Sequence, residues 1–221
     1  MKSFIIYLPK FEDSAKTAMA LKLKLEEFDM PVELFEGTYG NDAVKQMEAE
    51  GRTVHVIGIK GVAPKDNLKI QKPGVKGCFY SHYRLWKKCV ELNEPIIIWE
   101  DDIVISRAYI PVEWDEVLVL ALGHKSKSPR YMHYLTNPES PAAAVEYIQR
   151  SMPGSCGYAI KPAAAKKMID EYTNTYLPSD NAMNQRIVKI QIHNNVMGIA
   201  LLKKDGKRSL TSHTDVWDNF N

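Results

Sequence analysis

Pro95-Ile96-Ile97-Ile98-Trp99-Glu100-Asp101-Asp102 is the stretch that decides the fold. Four consecutive apolar residues without polar alternation predict a strand covered on both faces, as in the parallel sheets of α/β proteins. The three acids fall just past the strand's carboxyl end, where open α/β sheets gather their ligands. An extended chain sends Glu100 and Asp102 to one side and Asp101 to the other. Two carboxylates on one side repel unless a cation joins them. Oxygen donors select Mg²⁺ or Mn²⁺, which complete their shells with water and substrate phosphates. Taken alone, the cluster fits a solvated acidic turn equally well.

Outward from this strand, apolar runs and helical spacings alternate, which predicts a mostly parallel sheet with helices on both faces. Phe4 to Leu8 reads as a buried first strand. Asp13 or Ser14 is a candidate cap for a helix in which Ala18, Leu21, Leu25 and Phe28 recur at helical spacing. Val32 to Phe35 reads as a second strand, ended by Gly37-Thr38-Tyr39-Gly40, and Thr53 to Gly58 as a third. Lys60 to Lys76, with two prolines and five lysines, reads as a long loop, a length that usually serves function or stays disordered. A helix is expected from Cys78 to about Leu92, a strand from Val117 to Leu122, and a second basic loop from His124 to Arg130. Ala142 to Arg150 and Pro162 to Tyr172 read as helices, with a short strand at Gly157 to Ile160 between them.

The chain has 221 residues, 45% hydrophobic and 25% charged, which suits one sizeable α/β domain. A formal net charge of +2 argues for neither a nucleic-acid nor a membrane partner by itself. Cys78, Cys89 and Cys156 are odd in number and lack close metal-ligand spacing, so a reduced, cytoplasmic setting is expected and structural zinc is not. No apolar run approaches the roughly 20 residues that span a bilayer.

Gly77-Cys78-Phe79-Tyr80-Ser81-His82 followed, after a helix and an apolar strand, by Glu100-Asp101-Asp102 resembles glycosyltransferase family 25 in order and spacing. Val32-Glu33-Leu34-Phe35-Glu36-Gly37, and Gly157 to Ile160 with Ala165 to Met168 ahead of Asp180, are similar to further parts of that family. The chain departs from the family at Val75 and Lys76, where a glutamate is usual, and at Pro9 and Lys10 after the first strand. The resemblance implies a GT-A type, Rossmann-like α/β fold forming one domain over 1–221. Its residues 1–105 would bind the nucleotide sugar and 106–221 the acceptor. It further implies an inverting transfer from a nucleotide-sugar donor, taken as a UDP-sugar, in the cytoplasm of a bacterium or of a phage-infected host.

The resemblance also implies roles. Leu8, Pro9, Gly37, Ser81 and Arg84, with Glu100 and Asp101, would contact the donor. Glu100 and Asp102 would hold Mn²⁺ or Mg²⁺, with His213 from the C-terminal segment completing the shell. Asp102 and Asp180 are the catalytic candidates, Asp180 as the base that takes the acceptor's proton. The competing role for Asp180 is a helix N-cap before Ala182-Met183-Asn184. His82 reads as a packed or hydrogen-bonded helix residue, and Cys78 and Cys156 as small buried hydrophobes.

Basic loops at Lys60 to Lys76, Lys125 to Arg130 and Lys203 to Arg208 suit either solvated surface or a cationic rim for a phosphate-bearing polymer. Two acceptors fit such a rim: DNA carrying hydroxymethylated cytosine, which is preferred, and a lipopolysaccharide core. A nucleotide-sugar- or DNA-binding protein without catalysis is the remaining alternative, and the intact Glu100/Asp102 pair argues against it.

Overall fold

The computed structural model describes residues 1–52, 55–56, 72–123, 145–148, 152, 154–193 and 196–200. In chain order these form β1 (Lys2–Tyr7), α1 (Glu12–Glu26), β2 (Glu33–Glu36), α2 (Asn41–Ala49), β3 (His55–Val56), α3 (Pro73–Leu92) and β4 (Ile96–Glu100). There follow β5 (Ile103–Ile105), β6 (Val117–Leu122), β7 (Val145–Tyr147), β8 (Gly157–Ile160), α4 (Pro162–Glu171) and β9 (Thr175–Tyr176). The last described elements are α5 (Ser179–Ala182), β10 (Ile190–His193) and β11 (Gly198–Ala200).

A nine-stranded sheet runs in the order β2-β1-β4-β8-β6-β10-β7, with β11 beside β6 and β5 beside β11. Six of its strands point one way, while β5, β7 and β8 oppose them, so the expected mostly parallel α/β architecture is present. The sheet carries strands from both sides of residue 105 without interruption.

Side-chain alternation along the central strands feeds two cores. Phe4, Ile96, Ile98, Val117, Val119 and Tyr158 point to one, under α3 and α4. Ile5, Ile97, Trp99, Leu118, Leu120 and Ala159 point to the other, where α1 lays down Ala18, Leu21 and Leu25. Both faces of the sheet are therefore dry, the condition that lets β4 and β6 be apolar at every core position. Among the described residues no helix is long and apolar enough to cross a membrane.

Several local expectations change. The chain is extended only as far as Glu100, and Asp101-Asp102 form a turn into β5, so strand alternation does not govern where Asp102 points. α1 starts one residue before Asp13, after Phe11, and neither Asp13 nor Ser14 caps it. Ser14 instead accepts a hydrogen bond from the Leu8 N–H at 2.8 Å, tying the helix to the end of β1. α3 begins at Pro73, inside the segment expected to be loop, because proline's fixed φ and missing N–H suit the first helical turn. Val145–Tyr147 form a strand antiparallel to β10, where a helix was expected from Ala142 to Arg150. Edge pairing overrode local helix propensity there. α2, which buries Ala43 and Met47 one turn apart, and β5 and β9 to β11 are elements beyond those expected.

The strand-to-helix junctions rely on close backbone approach. A Cβ at Gly77 in α3 would lie 2.4 Å from the Thr38 carbonyl oxygen and 2.9 Å from the Tyr39 Cα. Neither neighbour is a flexible side-chain tip, so the clash outweighs the roughly 1 kcal/mol by which alanine favours a helix interior over glycine. Gly77→Ala should lower the unfolding free energy by about 1–3 kcal/mol. Urea titration checks this, and an unchanged midpoint would show that the Thr38 loop yields freely.

Candidate active site

Where β1 and β2 end side by side, the chain turns away through Leu8-Pro9-Lys10 and through Gly37-Thr38-Tyr39. Gly37 stays close to β1, donating its N–H to the Tyr7 carbonyl at 2.8 Å. Between the two turns lies an open cleft of about 350 Å³, lined by Leu8, Pro9, Lys10, Gly37, Thr38 and Arg84 among others. Arg84 reaches it from α3. Its guanidinium donates to the Glu36 carbonyl at 2.9 Å and to the Thr38 hydroxyl at 3.0 Å, and it stacks 4.6 Å over the Phe35 ring. Opposite, the Lys10 ammonium sits 4.5 Å over Tyr39, whose ring meets Phe11 edge-on. Two cations and an aromatic ring thus border the cleft, features suited to a flat heterocycle and phosphates.

The acid cluster stands next to this cleft, because Glu100 is the register partner of Ile6 on the neighbouring parallel strand. Glu100 is largely buried, its side chain 19% exposed. Its Oε1 accepts from Ser155 Oγ at 2.6 Å and His82 Nε2 at 3.3 Å, with the Cys78 thiol at 3.7 Å. Burial pushes its carboxyl upward, but hydrogen bonds from His82, Ser155 and Cys78 prevail and hold it below the usual carboxylate value. Asp102 and Asp180 approach the same place. Burial first, then the negative charges of Glu100, Asp102 and Asp180, push the Cys156 thiol well above its ordinary value. Cys78 is raised in the same way, by burial and then by Glu100, with Asp180 adding. The charges of these three carboxylates are felt at Cys156, and the Ser179–Ser155–Glu100 hydrogen bonds bring the start of α5 up to the end of β4.

Hydrogen-bond directions in this interior follow from the donors available. Trp86 Nε1 can only donate, and it does so to Tyr158 Oη at 2.9 Å. Tyr158 Oη lies 2.9 Å from His82 Nδ1, and His82 Nε2 donates to Glu100, whose ionised carboxylate can only accept. On the other side Ser155 donates to Glu100, so Ser179 must donate to Ser155 at 2.6 Å. The Cys78 thiol, whose single proton goes to Glu100, lies 3.2 Å from Ser179 Oγ. Two chains of donors thus end on one carboxylate oxygen. The donor atoms of Cys78, His82 and Glu100 lie within 4.8 Å of one another, a sulfur–nitrogen–oxygen set softer than Mg²⁺ prefers, and hydrogen bonding already occupies it.

Leu8, Pro9, Gly37 and Arg84 come together at the cleft, while Glu100, Asp102 and Asp180 all act electrostatically on Cys156. Ser81 lies elsewhere, 1% exposed behind the Thr38 turn, donating to the Gly77 carbonyl at 2.7 Å and accepting from the Thr38 N–H at 2.9 Å. It shapes the cleft from beneath. Asp101 borders a separate apolar hollow between α1 and β5, with Thr17, Lys24 and Val104. Asp180 is not an N-cap. Pro178 holds that position, and Asp180 Oδ1 accepts from the Asn181 N–H at 3.0 Å. His213 and the three basic loops, apart from Lys72 and Lys76 in the α3 region, lie outside the described residues. Cys78 is a member of the polar network as well as a packed group. Sequence reasoning missed Ser155, Tyr158, Trp86 and Ser179. The signal for Ser179 was its place beside Asp180, while nothing local marks Tyr158 as other than core.

The sequence pattern of Glycosyltransferase family 25 (LPS biosynthesis protein) matches residues 4–183. The chain is also similar to the lipooligosaccharide biosynthesis protein lex-1 of Haemophilus influenzae (strain ATCC 51907 / DSM 11121 / KW20 / Rd), at 27% identity over 127 residues. That alignment covers 52% of this chain and 41% of the relative, so the chain matches less than half of that protein's length. The matched span includes the cleft, the acid cluster and Asp180, and the chain belongs to glycosyltransferase family 25.

Proposed function

We propose that this chain transfers a sugar from a nucleotide-sugar donor to a hydroxyl acceptor with inversion at the anomeric carbon. The observation that carries the reading is a cleft bordered by Lys10 and Arg84 at the ends of β1 and β2, beside the Glu100 strand end to which Ser155 and Ser179 tie the Asp180 turn, inside the span matched by the family. The nucleotide would occupy the cleft, with its diphosphate toward the acid cluster. Asp180 would accept the acceptor hydroxyl's proton as its oxygen bonds to the anomeric carbon and the bond to the diphosphate breaks.

The donor set fits a hard divalent cation. Asp102 supplies carboxylate oxygens, and Glu100 uses only Oε1 in its hydrogen bonds, leaving its second oxygen for a ligand. Asp102 and Glu100 would therefore hold Mn²⁺ or Mg²⁺, which when bound would neutralise charge on the leaving diphosphate. The donor is read as a UDP-sugar. Hydroxymethylated DNA remains the acceptor suggested by the lysine-bearing loops, and the description of the Haemophilus relative supports a lipopolysaccharide-type saccharide.

A thermal-shift panel of nucleotide sugars with and without Mn²⁺ tests the donor and the cation together. A ligand at about 100 times its dissociation constant stabilises the fold by roughly 2.7 kcal/mol. The expected result is a shift with UDP-sugars that needs the metal. No shift with any nucleotide sugar would overturn the reading. Offering hydroxymethylcytosine DNA, plain DNA and a lipopolysaccharide core to the enzyme then identifies the acceptor by mass gain.

A further inference from the structure

We propose that Ser155 and Ser179 are positioning residues that brace the Asp180 helix against the acidic strand end, so that base and donor site keep one geometry. The inference rests on the transferase reading and adds two residues to it. α5 spans only Ser179–Ala182, one turn, and its N-cap Pro178 offers no side-chain cap. A single turn cannot hold itself, because helix nucleation costs more than one hydrogen bond returns. Its place in the fold must come from tertiary anchors.

Tertiary anchors flank Asp180 on both sides. At the C-terminal end, Tyr172 donates its hydroxyl to the Ala182 carbonyl at 3.0 Å. At the N-terminal end, Ser179 is 4% exposed and donates to Ser155, which donates to Glu100, both at 2.6 Å. These are short, buried links with their directions set by the carboxylate. Ser155 itself lies just before β8, whose Gly157 packs so tightly on Trp99 that a Cβ would sit 2.4 Å from the indole ring. Glu100 also receives the Cys156 carbonyl on its own N–H at 2.7 Å, so Ser155 cannot drift from it. The serine pair thus transmits the rigid sheet's position to the turn that carries Asp180.

The test uses Ser155→Ala, Ser179→Ala and Ser179→Thr in the full chain, with steady-state kinetics and hydrogen exchange. The alanine variants should lower kcat by about 10- to 100-fold, as expected for misplacing a reacting group by an ångström or less. Donor KM should change by less than about twofold in Ser179→Ala, since Ser179 neither lines the cleft nor touches Glu100, and Ser179→Thr should recover most of kcat. Amide exchange at Asn181 and Ala182, whose N–H groups bond to Pro178, should rise about tenfold in Ser155→Ala. Unchanged exchange and unchanged kcat would overturn the brace. So would a fall in thermal midpoint with kcat intact, which marks a purely structural pair. A wild-type chain that transfers no sugar while the exchange change is seen sinks the transferase reading and leaves the brace standing as a mechanical fact.

Discussion

Asp180→Asn will lower the rate of sugar transfer by about 10²- to 10⁴-fold, the range for losing a general base, while donor affinity stays nearly constant. In free energy this is roughly 3–5 kcal/mol of transition-state stabilisation. The substitution is close to isosteric, and an asparagine keeps the side-chain oxygen that accepts from the Asn181 N–H. The fold should therefore survive, and the thermal midpoint should move little. What is lost is the capacity to take a proton. The measurement is kcat and donor KM at several pH values, together with thermal unfolding. A variant that melts earlier yet transfers at the wild-type rate would show that Asp180 serves only the local turn.

Asp102→Asn will remove most activity at low Mn²⁺ and raise the metal concentration needed for half-maximal rate. Replacing a carboxylate ligand by a neutral amide weakens a hard-cation site by removing charge from the donor set. Asp102 stands in a turn between β4 and β5, so its substitution breaks no strand ladder. Chelator-insensitive activity in the wild-type chain, with full turnover by Asp102→Asn, would exclude the cation.

The two predictions differ in how much of their basis was visible in the chain alone. The acidic run after Ile96-Ile97-Ile98-Trp99 marks a ligand-bearing strand end by pattern, and the structure has that strand at the heart of the sheet. The expected partition, Glu100 and Asp102 apart from Asp101, agrees with Asp101 bordering a separate hollow, although the chain turns after Glu100 and strand alternation is not its cause. Asp180 was legible only as a position in a family pattern. The approach of its turn to Glu100 depends on antiparallel β8 entering between β4 and β6, pairing residues about 60 apart in sequence on one side and about 40 on the other, which no local signal specifies.

Ser81 shows the same boundary from the other side. Its motif pointed toward the donor, yet its hydroxyl is absorbed by the Gly77 carbonyl and the Thr38 N–H. A buried serine takes the nearest backbone groups, since an unsatisfied hydroxyl in the interior costs free energy. Val145–Tyr147 went to the sheet edge instead of a helix because β10 offered open backbone groups there.

The sequence by itself determined the α/β class, the apolar central strands, the helices that flank them and the acids at the end of β4. Those features follow from side-chain period and burial, which are local properties of the chain. Tertiary structure alone decided that Arg84 reaches the cleft from α3, that His82 turns its Nε2 to Glu100, and that Ser155 joins β4 to the Asp180 turn. The physical reason is that a buried polar group must find its partner wherever the packing brings one, however distant along the chain.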